Sequence, residues 1–320
     1  MGPLDRQLLA LEPQYRERVW GGQRLHPANP PIGEAWIAYG PSRVAGGPYA
    51  GFTLDELVAR YGVALLGTTV AGRFGTRFPL LIKLLDCADW LSIQVHPNDD
   101  QARRMVGPEE FGKTEAWYVL NAAAGAQLIA GVKPGVGRPE LVAAIRNGRI
   151  LEIANRLDVH EGDALLVPAG TIHAVGPGLM LYEIQQASDT TYRVYDWGRP
   201  VSVGRKLHIE ESVEVTLPVG PSELHHPVVP DSGTGAGIEC GYFDLDVVCV
   251  SPDGSALTAD TRGSSFHIVT VVEGTAEIAT NTETIALGRL QTALVAGATG
   301  SYEVRGVRGP STLMRAAVPD

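Results

Sequence analysis

The chain has 320 residues, of which 44% are hydrophobic, 19% charged and 7% aromatic, the balance of a folded globular protein long enough for two domains. Its 36 acidic against 26 basic residues give a formal charge of −10, which excludes the basic surface that non-specific nucleic-acid or anionic-membrane binding needs. Lysine is scarce, occurring only at Lys83, Lys113, Lys133 and Lys206, so an anionic ligand would have to meet its positive groups concentrated at one place.

Met1 to Trp20 interleaves Arg6, Arg16 and Arg18 with Asp5, Glu12 and Glu17 and offers no apolar core for a signal peptide. No run reaches the roughly 18 apolar residues of a membrane span; the longest, Phe78 to Leu85, is interrupted by Lys83. Cys87, Cys240 and Cys249 are odd in number and lack CxxC spacing, which argues against a disulfide scaffold or zinc ribbon and makes a reduced, cytoplasmic setting the default expectation.

Thr53-Leu54-Asp55-Glu56 reads as a capping box opening a helix with Leu54, Leu57, Val58, Tyr61 and Leu65 on one face. In Leu91 to Pro97, strand alternation places Gln94 and His96 on one face and Ile93 and Val95 on the other. A second helix is predicted from Asn98 or Asp99 to about Met105. Lys113 and Glu115 share a face if Gly112 to Trp117 is extended. Either polar pair, taken alone, reads equally as a satisfied structural patch. A third helix is predicted with Pro139 at its first position, Leu141, Val142 and Ile145 as its apolar residues, and a stop at Gly148.

Glycine (38) and proline (22) then punctuate short runs rich in Val, Ile, Leu and Tyr, the pattern of many short strands. Strands are predicted at Ala164 to Val167, Leu179 to Gln186, Thr190 to Asp196, Tyr242 to Val250, His267 to Val272 and Thr292 to Val295. Leu217 to Gly237 reads as a linker, and its adjacent His225 and His226 as solvent-exposed residues without a third ligand. His267, the only histidine after the linker, reads as a packing residue within an apolar strand. The expected fold class is mainly β with a few helical insertions.

Gly162 to His173 fits G-x5-P-x-G-x2-H and resembles the second half of the cupin signature, whose Pro-x-Gly turn aims a histidine into a small β-barrel. SIQVHPND, GKTEAWYVL and VPAGTIHAVGPGLMLYEIQQASDTTYRVYDWGR, with Trp20-Gly21-Gly22 and Gly33-Glu34-Ala35-Trp36, narrow the likeness. From roughly Trp20 to Glu214 the chain resembles the short bacterial form of type I mannose-6-phosphate isomerase. The segment Ile37 to Pro41 departs from the more usual polar continuation of that family.

The resemblance implies two cupin (jelly-roll) barrels in tandem: a catalytic domain over 1–217, a linker over 218–237 and a metal-free cupin-like domain over 238–320, with Gly288 to Gly297 a turn that has lost its histidine. It implies one zinc ion on Gln94, His96, Glu115 and His173. Lys83, Lys113, Glu183, Asp189 and Arg193 match residues lining the active site. The implied reaction interconverts mannose 6-phosphate and fructose 6-phosphate by proton transfer through an enediol, with Arg193, Lys113, Asp189 and Lys83 as the catalytic candidates. Arg193, always charged, suits an anion clamp; Lys113 is divided between phosphate contact and proton transfer. Arg199, Arg205 and Lys206 read either as further positive groups for the phosphate or as a solvated turn. A small phosphosugar is the expected partner, without nucleic acid or membrane, in a monomer or weak homodimer. A metal-dependent cupin dioxygenase and a non-enzymatic sugar-binding bicupin are the alternatives.

Overall fold

Antiparallel strands dominate the computed structural model, which describes residues 4, 7–200, 205–252 and 256–320. They gather into two compact units, each assembled from separate stretches of chain: Met1–Gln14, Trp36–Lys83 and His226–Asp320 form the first, Tyr15–Ala35 and Leu84–His225 the second. This division differs from the contiguous blocks 1–217 and 238–320, because the N-terminal strand Leu8–Leu11 hydrogen-bonds along Thr292–Val295 and so joins the C-terminal sheet.

In the first unit, a six-stranded sheet runs in the order Leu8–Leu11, Thr292–Val295, His267–Glu273, Ser311–Ala317, Asp244–Val250, Gly233–Glu239. A four-stranded sheet runs Leu257–Asp260, Ser301–Gly306, Ala276–Ala279, Thr284–Leu287. Alternate residues of both, among them Val248, Val269, Val271, Ile278, Val304 and Leu313, form one buried apolar cluster. The capping box holds as read: Thr53 Oγ1 accepts from Glu56 N at 3.2 Å, and Glu56 Oε2 accepts from Thr53 N at 2.8 Å. Its helix, Leu54–Tyr61, is shorter than predicted, because Gly62 takes φ 50° and ends it; Leu65 is buried in a separate turn, Val63–Leu66.

The stretch 217–237, expected to be linker throughout, becomes strand at Gly233, where Gly233–Glu239 pairs with Asp244–Val250.

The second unit again has two sheets. The five-stranded one runs Tyr192–Tyr195, Ile93–Val95, His173–Val175, Gln127–Val132, Ala154–Asp158. The six-stranded one runs Gln14–Gly22, Ile32–Ala38, Leu80–Asp86, Leu179–Gln186, Glu115–Ala122, Ala164–Val167, to which the second and third strands contribute their portions within this unit. Residues from both sheets, including Trp117, Leu128, Leu165, Val175 and Leu181, form a buried core. On its other face the five-stranded sheet presents Ile93, Val95, Ile129 and Ala174 to a second core. Helices Arg138–Arg146, Ile150–Ile153 and Ile209–Val215 cover that face. The first of these starts one residue earlier than predicted, so Pro139 is its second residue, and the other two carried no recognised start signal. The second predicted helix is Asp99–Met105, and Asn98 caps it. Because Ile93 and Val95 fill the helix-covered face, Gln94 is turned to the opposite one.

Candidate metal centre

Strand pairing in the second unit places polar side chains in a row. Ile93–Val95 lies between two antiparallel neighbours, with Gln94 opposite His173 on one side and opposite Arg193 on the other. Across from that sheet, Glu115 shares its strand face with the core residues Trp117 and Val119, and Glu183 sits opposite Trp117 in register. The Pro-x-Gly turn behaves as the motif predicts. Thr171 N donates to Pro168 O at 3.1 Å, Gly170 N donates to His96 O at 2.9 Å, and His173 follows at the start of its strand.

His96, Glu115 and His173 are all buried, and their ligand atoms lie within 4.8 Å of one another. The hydrogen bonds behind the rings fix their orientation. His96 Nδ1 donates to Thr190 O at 2.8 Å and His173 Nδ1 donates to Thr171 O at 2.9 Å, which leaves each Nε2 a lone pair facing inward. Burial, and then the charge of Lys113, push His96 well below the ordinary imidazole range, so it is neutral.

Burial alone would raise the Glu115 carboxyl, but neighbouring positive charge, that of Lys113 first, holds it well below the usual carboxylate range. Its Oε1 lies 3.1 Å from His173 Nε2 and its Oε2 3.4 Å from His96 Nε2. Neither oxygen receives a hydrogen bond among the described residues. Four acceptor atoms thus converge inside the protein, with the Lys113 ammonium the one charged group among the described residues set against them, an arrangement that a further cation would satisfy.

Lys113 supplies part of that charge: its Nζ donates to His96 Nε2 at 3.1 Å and lies 3.0 Å from Glu115 Oε2. Gln94 Nε2 donates to His173 Nε2 at 3.3 Å, and a half-turn of the amide would offer Oε1 in its place. All four residues read as ligands by resemblance are therefore adjacent. The two imidazole nitrogens, one carboxylate and one amide oxygen suit a borderline divalent ion such as zinc.

The other candidates fall in different surroundings. Glu183 is buried and accepts from Trp117 Nε1 at 3.0 Å, while the Trp117 ring meets the His173 ring edge-on at 5.5 Å between centroids. Arg193 is half-buried, and its buried Nε has no hydrogen-bond partner among the described residues. Burial first, then repulsion from Arg205, lower its pKa. Asp189 is exposed, in the loop before Tyr192–Tyr195, and its charge acts on Arg193. Lys83 is buried in the first unit, its ammonium 5.5 Å from the centroid of Trp36.

Arg199 and Arg205 both bind Asp196, at 2.9 and 2.6 Å, and so act within the fold; Lys206 is exposed, and 201–204 lie outside the described residues. His225 and His226 are exposed as read.

The sequence reading missed a brace behind the cluster. Gln186 Oε1 accepts from Thr114 N at 3.0 Å and its Nε2 donates to Asp99 Oδ1 at 2.9 Å, which in turn accepts from Gly112 N at 2.8 Å. Thr114 Oγ1 accepts from Ala169 N at 3.2 Å. The segment carrying Lys113 and Glu115 is thereby tied to the capped helix and to the Pro-x-Gly turn. The adjacent Gln185 and Gln186 were the available signal, since two consecutive strand amides cannot both face solvent.

Comparison with known proteins bears on what this cluster serves. The family model "phosphomannose isomerase type I, catalytic domain" matches residues 8–116. The mannose-6-phosphate isomerase ManA of Bacillus subtilis is 39% identical over 280 residues, covering 83% of this chain and 85% of the relative. The mannose-6-phosphate isomerase of Streptococcus mutans is 37% identical over 298 residues, covering 87% of this chain and 89% of the relative. Among solved structures, a mannose 6-phosphate isomerase from Bacillus subtilis superposes with a TM-score of 0.85 at 30% identity, covering 97% of this chain and 99% of that one.

Proposed function

The chain belongs to the type I mannose-6-phosphate isomerase family, and from that premise we propose that it interconverts mannose 6-phosphate and fructose 6-phosphate at one zinc ion held by Gln94, His96, Glu115 and His173. The observation that carries the metal reading is the buried Glu115, whose two oxygens lie 3.1 and 3.4 Å from the inward-facing Nε2 atoms of His173 and His96 and receive no hydrogen bond among the described residues. When bound, zinc supplies Lewis-acid polarisation of the sugar's carbonyl and hydroxyl oxygens.

An aldose–ketose isomerisation moves a proton between C2 and C1 through an enediol, so a residue must carry that proton and another must stabilise developing negative charge. Lys113, against His96 and Glu115 at the centre of the cluster, is the best-placed proton carrier; Asp189 stands at the exposed rim. Arg193 opposite Gln94, with its unpartnered Nε, is the clamp for the phosphate or the enediolate. Glu183, oriented by Trp117, and Lys83 complete the substrate-binding set.

The pair of facing antiparallel sheets in each unit supports two tandem cupin barrels, with the catalytic chemistry assigned to residues of the 1–217 block and no metal to the 238–320 block. No helix among the described residues is long and apolar enough to cross a membrane, and a cytoplasmic setting fits the reduced cysteines.

A coupled assay for fructose 6-phosphate, run with and without chelator, tests the function. His173→Ala is expected to lose both bound zinc and turnover while its β-sheet circular dichroism survives. Wild-type turnover by that variant in metal-free buffer would sink the zinc assignment.

A further inference from the structure

The first unit holds a polar cavity of about 490 Å³ of its own, unrelated to the metal cluster. The alternation that sends Val248, Val250, Val269, Val271 and Leu313 into the core puts Asp244, Asp246, His267 and Arg315 on the same inward faces, further along the same strands. The apolar core therefore ends in a charged bowl between the sheets.

Three features of the bowl point to a ligand. First, Arg315 stands opposite Asp246 in register and donates to its Oδ2 from Nε at 3.0 Å and Nη2 at 2.6 Å, so these two charges cancel. Second, His267 is only 8% exposed and uses just one of its nitrogens. Its Nδ1 is 2.7 Å from the Tyr302 hydroxyl, whose oxygen is also hydrogen-bonded by Arg315. That network directs the phenolic hydrogen to Nδ1 and leaves the ring proton on Nε2, which lines the cavity with no partner among the described residues. Third, the Asp244 carboxylate makes no hydrogen bond or ion pair among the described residues, and the charges that reach it, from Glu239, Asp246 and Asp320, are all negative.

With Asp260 and Asp320 at its rim, the bowl has four carboxylates against Arg262 and Arg315, which leaves two negative charges uncompensated. His267 is neutral, its pKa pushed down to about 3 by burial and then by Arg315, so it does not alter that balance. The volume lies within the roughly 300–1,000 Å³ typical of small-molecule sites. A bare metal ion is a poor match, because no group of three ligating side chains other than His96, Glu115 and His173 converges among the described residues. A phosphosugar is repelled by the net charge.

We propose that this cavity binds a small protonated amine bearing hydroxyl groups, of amino-sugar size, with its ammonium on Asp244 and a hydroxyl oxygen on the His267 Nε2 hydrogen. Thr258, Ser264 and Ser301 add hydroxyls to the lining that can meet the ligand's own.

Titration calorimetry of the full-length zinc-loaded protein with glucosamine at neutral pH tests this, with mannose and mannose 6-phosphate as separate titrants. Saturable one-site binding of glucosamine is expected. It should be about tenfold weaker in Asp244→Asn, the effect of losing one charge-assisted hydrogen bond, and weakened in His267→Gln. His173→Ala should bind glucosamine as the wild type does, whether or not the isomerase reading holds. No saturable binding, equal binding of mannose, an unchanged affinity in Asp244→Asn, or loss of binding in His173→Ala would each overturn the proposal.

Discussion

Replacing Lys113 with methionine removes a charge and keeps the length of the side chain. Lys113 is 3% exposed and Glu115 0%, and their charged atoms are 3.0 Å apart. At an effective dielectric of about 20 that separation corresponds to roughly 5.5 kcal/mol of attraction, part of which offsets the desolvation of the ammonium. Breaking a buried pair by deleting one partner typically costs about 3–5 kcal/mol, because the remaining charge stays buried. Metal-free Lys113→Met should therefore lose about 3–5 kcal/mol in urea unfolding, in the transition of the second unit. Zinc, by placing positive charge among the same acceptors, should recover much of that loss. Leu128→Ala, a fully buried core truncation in the same unit, should instead lose about 2–5 kcal/mol with and without zinc. Unfolding of metal-free Lys113→Met at the wild-type urea concentration would refute the pairing. A loss that zinc leaves unchanged would refute the idea that the ammonium and the metal serve the same carboxylate.

Arg193→Ala should lower turnover by about 10²–10³-fold, the usual effect of deleting a charge-stabilising donor, while metal analysis finds zinc still bound; release of the metal would make Arg193 structural. Gln186→Leu strands the Thr114 N–H and should cost about 1–3 kcal/mol of stability with a 10- to 100-fold weaker zinc affinity, measured by competition with a chelator. Burial, and then repulsion from Glu239, Asp246 and Asp320, raise Asp244 to about 6. The folded chain thus takes up a proton there at a pH where the unfolded chain has none, and folding gains from acidification between about pH 6 and 4. Asp244→Asn should be more stable than wild type in urea at pH 7.5, with the advantage shrinking through that window; an advantage independent of pH would contradict the assignment.

What the sequence makes legible here is local. The capping box at Thr53 states its helix in four residues, and the alternation in Ile93-Gln94-Val95-His96 states which face is polar without reference to the rest of the chain. Gly233–Glu239 shows why the remainder is hidden. Its glycines read as linker, yet a Cβ on Gly235 would stand 2.7 Å from Val228 O and 2.8 Å from Val229 Cγ2. Packing between backbones demands the very residue that marks a loop elsewhere, and nothing local distinguishes the two cases.

The charge balance carries the same lesson to the site. Arg199 and Arg205 follow Arg193 closely in sequence, but Asp196 engages both, and of the three only Arg193 retains a buried donor without a partner among the described residues. Counting positive residues along the chain overstates what a phosphate could meet. Counting donors that no acceptor has claimed separates one arginine from its neighbours, and counting buried oxygens without a hydrogen bond among the described residues picks out Glu115 in a chain whose net charge is −10. An acidic protein can hold an anionic substrate because this selection is made atom by atom in a buried space, where a few unsatisfied groups outweigh the screened charge of the surface.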